Sequence, residues 1–363
     1  MNQRILSIEY IRGLAMLGVV GIHTGSELLS NPQANIHLFA LLEIVSRFSV
    51  PIFFFVSAFS LFRQYPLDVP FDAGRFYKRR FVRVLFPYLI GSVLYMLHYS
   101  YLTGDWSIWY PILVYQFFGF GMASYQLYFL VILLWFYLLM PLWRPLTRRI
   151  LQRPVFWLGL LFAGQIAFNY YSSYKLRPNS GLFYLDLLIQ YRMSWWLAHY
   201  LFLFLFGAVF AVRYQQVMTW LHQRRRQVGL FFFLALAAML AQYYYLLLLR
   251  HYSLEQAVNT VHQLSPCGMF YTLAACLYLM LRFETPLPSW IHHTLQIAGR
   301  YSYGIFWIHT LLIHYFYQGL SALGWSMTVP VTIAFYLSTV FSSIGLVRIG
   351  AAIRRRLFSK QKR

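Results

Sequence analysis

The sequence predicts an all-α protein, a polytopic integral membrane helix bundle of about ten transmembrane helices with both termini in the cytoplasm. Three observations lead to this fold class. Of the 363 residues, 60% are hydrophobic and only 11% are charged, whereas soluble domains carry about 25% charged residues. The apolar residues form runs long enough to cross a bilayer, and the lysines and arginines lie mostly in alternate loops between these runs. Because this composition leaves too little polar surface for water, we expect most of the chain in lipid.

Ten apolar segments have the length of about 20 residues that a transmembrane helix needs. They are 6–26, 37–62, 81–101, 126–143, 154–171, 194–212, 228–249, 264–281, 301–319 and 328–352. The first segment lacks a small-residue cleavage site, so we expect a retained span and no cleaved leader. The stretch 106–124 is interrupted by proline and glycine, and we expect it to be interfacial or re-entrant.

The basic residues predict the orientation. With the N-terminus inside, 24 lysines and arginines fall in cytoplasmic loops and tails and four fall outside, as the positive-inside rule requires. The net charge of +21 does not indicate a nucleic-acid partner, because the basic residues form short clusters between apolar runs. We therefore predict one transmembrane domain over 1–353 and a basic cytoplasmic tail over 354–363, which would rest on anionic membrane lipids.

The first apolar segment carries two ionisable residues on one face. Arg12 and His23 are eleven residues apart, so on a helix they point the same way and lie about 16.5 Å apart along the axis. Glu9 precedes Arg12 by three residues and can pair with it. Ionisable groups at this depth usually face a cavity or a pathway, and histidine suits proton transfer near neutral pH. The alternative left open is that Arg12 reaches the interface while His23 only hydrogen-bonds another helix. Small residues that would let a helix or a ligand approach are Gly13, Ala15, Gly18 and Gly21.

Four stretches, in order along the chain, carry distinctive motifs. They are IEYIRGLAMLGVVGIH (8–23), RFSVPIFFFVSAF (47–59), KRRFVRVLFPY (78–88) and GRYSYGIFWIH (299–309). Together they resemble the signatures of the membrane acyltransferase family 3, which include an arginine followed by ten residues and a histidine, and an Arg-x-x-Arg motif. A weaker match is 125–142. Departures from the family pattern are Ala58 for glycine, Gln126 for histidine and Tyr128 for tryptophan.

The resemblance implies an acyltransferase that moves an acyl group, usually acetyl, from cytoplasmic acyl-CoA to a hydroxyl of a carbohydrate. It implies a multi-pass protein of a bacterial plasma (inner) membrane, with no metal. The expected acceptor is a cell-envelope carbohydrate, an exopolysaccharide or a lipid-linked glycan, so polysaccharide assembly machinery is a candidate partner. O-acetylation of an envelope polysaccharide is the expected outcome.

Candidate catalytic residues lie on the first segment. We expect His23 to be the general base that takes the proton of the acceptor hydroxyl, and a covalent acyl-histidine is the competing mechanism. We expect Arg12 to position the donor or the histidine, with Glu9 holding its guanidinium.

Donor phosphates would need arginines at the inner mouth of the bundle. The candidates there are Lys78, Arg79, Arg80 and Arg83, of which Arg80 and Arg83 are expected to share a helix face. Loop anchoring is the alternative for this cluster.

Candidate substrate-binding residues lie on three other segments. They are Arg47, Gln126, Ser302, Tyr303 and His309. Glu43 is four residues before Arg47 and is expected to pair with it. Ser302 and His309 are seven residues apart and are expected to share a face, either lining a cavity or bonding another helix.

Two other classes of protein remain possible from the sequence. One is a transporter or flippase for a lipid-linked sugar, which would also place polar residues at depth. The other is a non-catalytic assembly partner that keeps the fold. Neither requires the arginine–histidine pair of the first segment or the Arg-x-x-Arg motif, so the residues favour the enzyme.

Overall fold

The computed structural model describes residues 5–30 and 34–360, and every regular element within them is helical. The all-α prediction is therefore confirmed. The helices are α1 (Leu6–Ser26), α2 (Ile36–Phe39), α3 (Ser49–Gln64), α4 (Ala73–Arg80), α5 (Phe86–Thr103), α6 (Pro111–Phe120), α7 (Tyr128–Leu138), α8 (Met140–Gln152), α9 (Pro154–Tyr170), α10 (Phe183–Gln190), α11 (Arg192–Trp195), α12 (Leu201–Val212), α13 (Tyr214–Gln223), α14 (Arg225–Tyr244), α15 (Leu254–Thr260), α16 (Pro266–Arg282), α17 (Ser289–Ala322) and α18 (Val329–Lys360). Four π-helical turns interrupt or extend them, at Ala40–Ile44, Phe81–Leu85, Tyr171–Lys175 and Tyr245–Leu249.

Five helical stretches of the described chain are long and apolar enough to cross a membrane. They are Leu6–Leu29, Ile36–Gln64, Ala73–Thr103, Arg225–Leu249 and Val329–Arg356. Two bent pairs raise the number to seven if each pair is one span: Tyr128–Leu138 with Met140–Gln152, bent by 71°, and Leu197–Val212 with Tyr214–Gln223, bent by 96°. The protein is thus an integral membrane protein with several spans. Ten spans and cytoplasmic termini stay predictions.

The remaining predicted spans coincide with helices that are shorter or more polar. The helices α9 and α16 have 17 residues each, and the 34-residue helix α17 mixes histidine, serine and glutamine with its apolar residues. The segment 106–124 contains α6, which begins at Pro111 and ends at Phe120, and Gly121 follows it with a φ of +70°. The predicted basic tail begins inside α18, and residues 361–363 lie outside the described residues.

The chain divides into two compact units. Residues Met1–Val56 and Gln215–Arg363 form the first, and residues Ser57–Tyr214 form the second. The prediction of one domain over 1–353 stays a prediction.

In the first unit, α1 is packed between other helices by its small residues. A Cβ added to Gly13 would collide with the backbone of α17 at Leu295, and one added to Gly299 would collide with the carbonyl of Glu9. On other sides, Gly18 contacts Ser49, while the hydroxyl of Tyr336 of α18 donates to the Leu17 carbonyl at 3.2 Å. The predicted close approach at these glycines is therefore made by neighbouring helices.

The second unit contains buried polar residues that hold its loops. Arg144 is 5% exposed and donates to backbone carbonyls of Tyr65, Pro66, Leu67 and Val69. A second buried network joins side chains of α9, the turn after it and the segment leading into α12; its members are Gln165, Asn169, Ser172, Arg192 and His199. Because buried polar groups require partners, these networks set the course of the connecting segments.

Candidate functional site

Two histidines from opposite ends of the chain meet inside the first unit. Nδ1 of His23, on α1, lies 2.8 Å from Nε2 of His309, on α17. The ring centroids are 5.0 Å apart and the ring planes differ by 10°. The two rings are nearly parallel, and a nitrogen at the edge of each is at hydrogen-bond distance from the other. The rings therefore lie side by side and do not stack face to face. The contact is therefore an in-plane hydrogen bond between imidazoles.

A backbone carbonyl decides which nitrogens of the neutral pair carry protons. Nδ1 of His309 lies 2.8 Å from the Ile305 carbonyl oxygen, and because a carbonyl only accepts, this nitrogen must be the donor. In neutral His309, Nε2 then carries a lone pair, so Nδ1 of His23 donates to it. Each neutral imidazole has one N–H, which leaves Nε2 of His23 unprotonated. His23 is thus held as the tautomer that can accept a proton at Nε2.

The packing of α1 against α17 sets this register. Gly13 contacts Gly299, and each glycine stands ten residues before its histidine. Equal spacing along both helices, about 15 Å of rise, means that α1 and α17 run in the same direction. Any larger side chain at either glycine would push the helices apart, because the nearest atoms are backbone.

Arg47 and Glu43 lie beside the same end of α1. Their side chains pair at 3.1 Å and are 11% and 3% exposed, which confirms the predicted pair. Gly25, two residues after His23, packs against the Glu43 side chain. Arg47 also donates to Oε1 of Gln263 at 3.4 Å and acts electrostatically on His23. The structure thus brings a partly buried cation within electrostatic reach of His23.

Two predicted residues of α17 have different surroundings. Ser302 and His309 are both buried. The Ser302 hydroxyl donates to the Gly299 carbonyl of its own helix at 3.0 Å. Tyr303 is 42% exposed and its ring meets Trp307 edge to face. The predicted shared face of Ser302 and His309 agrees with their common burial. A substrate-binding role for Tyr303 stays a prediction.

The other residues of the predicted catalytic set lie along α1. Glu9 is buried with its backbone against Gly299, and Arg12 is partly buried one turn later. The helix is unbroken from Leu6 to Ser26, so Arg12 and His23 keep the predicted separation of about 16.5 Å along it. The Glu9–Arg12 pair stays a prediction.

The predicted donor site lies in the second unit. The Arg80 guanidinium, at the end of α4, lies 4.8 Å from the ring centroid of Tyr137 and 5.2 Å from that of Phe76. Lys78, Arg79 and Arg83 are exposed. A π-helical turn follows Arg80 and changes the rotation about the helix axis from one residue to the next. Arg83 is exposed, whereas Arg80 is partly buried. The expected common face of these two arginines is therefore not an ordinary α-helical face.

Gln126 also belongs to the second unit. It is 2% exposed; its Nε2 donates to the Tyr95 hydroxyl at 3.1 Å and its Oε1 accepts from Ser124 at 2.5 Å. These contacts hold Gln126 within the turn before α7. Its substrate-binding role stays a prediction.

Two contacts of the candidate site were not predicted from the sequence: His309 as the direct partner of His23, and Gln263 as a partner of Arg47. The signal for the first was the ten-residue spacing from glycine to histidine in both motifs. Nothing in the local sequence of Gln263 indicates its contact. Among the described residues, no group of three His, Cys, Asp or Glu side chains could hold a metal ion.

One family model matches the chain over almost all its length. The acyltransferase domain of the acyltransferase 3 family covers residues 5–348, which include all four motifs and the whole histidine site. No curated protein and no solved structure matches the chain. The match confirms the resemblance inferred from the motifs: this chain belongs to the acyltransferase 3 family, a family of membrane enzymes that transfer acyl groups.

Proposed function

We propose that the protein transfers an acyl group, acetyl by preference, from cytoplasmic acyl-CoA to a hydroxyl of a cell-envelope carbohydrate in the bacterial plasma membrane. The observation that carries this proposal is the His23–His309 pair, which presents an unprotonated Nε2 of His23. An imidazole that is held in one tautomer by a buried hydrogen-bond partner, here His309, is suited to general-base catalysis.

In the proposed reaction, Nε2 of His23 takes the proton of the acceptor hydroxyl while the oxygen attacks the thioester carbonyl. The tetrahedral intermediate collapses, the carbon–sulfur bond breaks, and CoA leaves as a thiolate. The imidazolium of His23 then returns its proton to the sulfur. Nδ1–H of His23 stays bonded to His309 throughout, so the ring does not rotate between the two transfers. Attack by Nε2 itself, giving an acyl-histidine, is the competing route.

Arg47 supports the proposal by its charge. Negative charge develops on the thioester oxygen during the attack, and a preorganised buried cation stabilises such charge more than water would. Arg47 already acts electrostatically on His23 and is held by Glu43 and Gln263. We assign it to the substrate side of the site, together with the buried face of α17 that carries Ser302.

The basic residues at the end of α4 and in the π-helical turn after it are proposed to bind the phosphates of CoA. Arg80 is held over two aromatic rings, which keeps its guanidinium in one orientation, and bidentate binding of phosphate needs such an orientation. Lys78, Arg79 and Arg83 add exposed charge next to it.

The proposed topology has ten spans with both termini inside. Parallel packing of α1 and α17 requires an odd number of crossings between them, and the proposed topology has seven. The acyl donor would then reach Arg12 from the cytoplasm, while the acceptor hydroxyl reaches His23 from the other side.

The experiment is to incubate the protein in lipid nanodiscs with acetyl-CoA labelled in the acetyl group and with envelope polysaccharide. The proposal expects label on the polysaccharide and release of free CoA. A flippase or a non-catalytic assembly partner would leave the label on CoA. Mass spectrometry of envelope glycans from a deletion strain and its parent identifies the acceptor, as the glycan that loses its acetyl groups.

A further inference from the structure

The second unit contains an apolar groove that has no part in the acyl transfer proposed above. It lies among α8, α9 and α12 and has a volume of about 380 Å³. Its walls include Leu146, Trp157, Leu161, Gly164, Phe168 and Phe202. Gln165 also borders it, but its amide is engaged with protein backbone: Nε2 donates to the Ala198 carbonyl at 2.6 Å and Oε1 accepts from the Phe202 N–H at 3.0 Å. A ligand in the groove would therefore meet an almost wholly apolar surface.

The groove has the length of one leaflet of a bilayer. Its wall on α9 runs from Trp157 to Phe168, which are eleven residues apart and therefore about 16.5 Å apart along the helix. The hydrocarbon core of a bilayer is about 30 Å thick, so one leaflet supplies about half of that. Outside the groove, α9 exposes Val155 by 87% and Phe156 by 60%. Large apolar side chains this exposed indicate that the surroundings of α9 are lipid.

One end of the groove is positively charged. The Arg149 guanidinium, where α8 approaches α9, lies 5.9 Å from the ring centroid of Trp157. Arg153 is exposed at the junction of the two helices. Arginine and tryptophan are the residues that meet headgroups at a membrane interface, and arginine binds phosphate through paired N–H groups. The far end, at Phe168 and Ala198, contributes no charged side chain to the described lining of the groove.

We propose that this groove binds one acyl chain of an anionic bilayer phospholipid, with its headgroup phosphate on Arg149. The apolar wall fits the chain, the length fits one leaflet, and the arginines fit the phosphate. The site would fix α9 against α8 and α12, and it does not depend on the acyl-transfer chemistry.

Two glycines of α9 provide a matched pair of variants. Gly164 borders the groove and Gly159 does not, yet a Cβ at either one would have no described neighbour within 4 Å. Gly164→Leu would therefore introduce an apolar side chain at the edge of the groove, starting from a Cβ that meets no described atom. Gly159→Leu would add the same side chain at an exposed position of α9 outside the groove. Native mass spectrometry of the full chain, titrated with dioleoyl phosphatidylglycerol or dioleoyl phosphatidylcholine, reports binding of the first lipid.

The wild type is expected to bind phosphatidylglycerol about fivefold more tightly than phosphatidylcholine. Gly164→Leu should weaken phosphatidylglycerol binding about tenfold, Gly159→Leu should leave it within about twofold, and Arg149→Gln should remove most of the preference for phosphatidylglycerol. Unchanged binding by Gly164→Leu, or equal losses in both glycine variants, would overturn the proposal. So would a polyprenyl phosphate that displaces phosphatidylglycerol at equal concentration, since that would identify a lipid-linked substrate as the occupant.

Discussion

Gly13 of α1 rests against Gly299 of α17, and each glycine stands ten residues before one of the two paired histidines. The contact at the glycines and the hydrogen bond at the histidines are thus two points of one parallel helix interface. Moving the helices apart at the glycines therefore changes the distance between the two histidine rings. The register of α1 on α17 therefore controls the geometry of the proposed general base.

The glycine contact gives the first prediction. Gly299→Ala places a methyl group against the carbonyl of Glu9, and overpacking of this kind costs about 1–3 kcal/mol. We expect a lower midpoint of thermal unfolding in detergent and a loss of acetyl transfer larger than the loss of folded protein. Gly319→Ala is the control, because it is on the same helix and its Cβ would have open space in the described part of the chain. Equal behaviour of the two variants would disprove the role of the interface.

His309 is predicted to act as a positioning residue for His23. His309→Leu removes the acceptor for Nδ1–H of His23, so we expect kcat to fall about tenfold or more while KM for acetyl-CoA stays within about twofold. His309→Gln offers a side-chain oxygen as acceptor and should recover part of kcat. Steady-state kinetics in nanodiscs would measure both effects. A purely structural histidine would instead show equal losses in both variants, in proportion to lost protein.

Arg80 is predicted to bind the donor. Arg80→Gln removes a charge-assisted contact to phosphate, and we expect KM for acetyl-CoA to rise about tenfold with little change in kcat. The wild type should also prefer acetyl-CoA to acetyl-dephospho-CoA, and Arg80→Gln should weaken that preference. Arg75→Gln, at an exposed position of the same helix α4, is the control for net charge. A KM that responds equally to both variants would leave Arg80 without a specific role.

Arg144 is predicted to stabilise the second unit. Arg144→Gln removes the buried guanidinium that donates to the carbonyls of Tyr65, Pro66 and Val69 through partly buried hydrogen bonds. A carbonyl left without its donor in buried surroundings costs about 1–3 kcal/mol. We expect a clear fall in the thermal midpoint and faster proteolysis of this segment. Arg153→Gln, at an exposed site nine residues later, should change neither. Equal midpoints for the two variants would show that the carbonyl contacts contribute little.

The sequence predicted much of the secondary structure and one part of the site. The first segment, 6–26, has the bounds of α1, because no proline interrupts the segment. The pair of Glu43 and Arg47 followed from helical spacing and is present. Motifs that are contiguous in the chain also identified the family. All of these depend on residues close together in sequence.

Features that depend on tertiary structure were not predicted. The apolar run 126–143 predicts one span, yet the chain bends at Leu139 between α7 and α8. Pro141, in the first turn of α8, has no N–H with which to continue the ladder of hydrogen bonds of α7. Arg144 directly follows the predicted span 126–143, and the sequence does not indicate that its side chain is buried among backbone carbonyls. The His23–His309 bond joins residues 286 apart, and only the packing of α1 on α17 brings them together.

The most direct test of the account is the rate of acetyl transfer by His23→Ala, measured with saturating labelled acetyl-CoA beside equilibrium binding of acetyl-CoA. Removal of a general base typically costs about 10²–10⁴ in rate, so we predict at least a hundredfold loss of transfer with acetyl-CoA affinity within about twofold of the wild type. His293→Ala, an exposed histidine of α17 bonded to Ser289 of its own helix, should transfer at the wild-type rate. Transfer by His23→Ala at a rate close to that of the wild type would contradict the account.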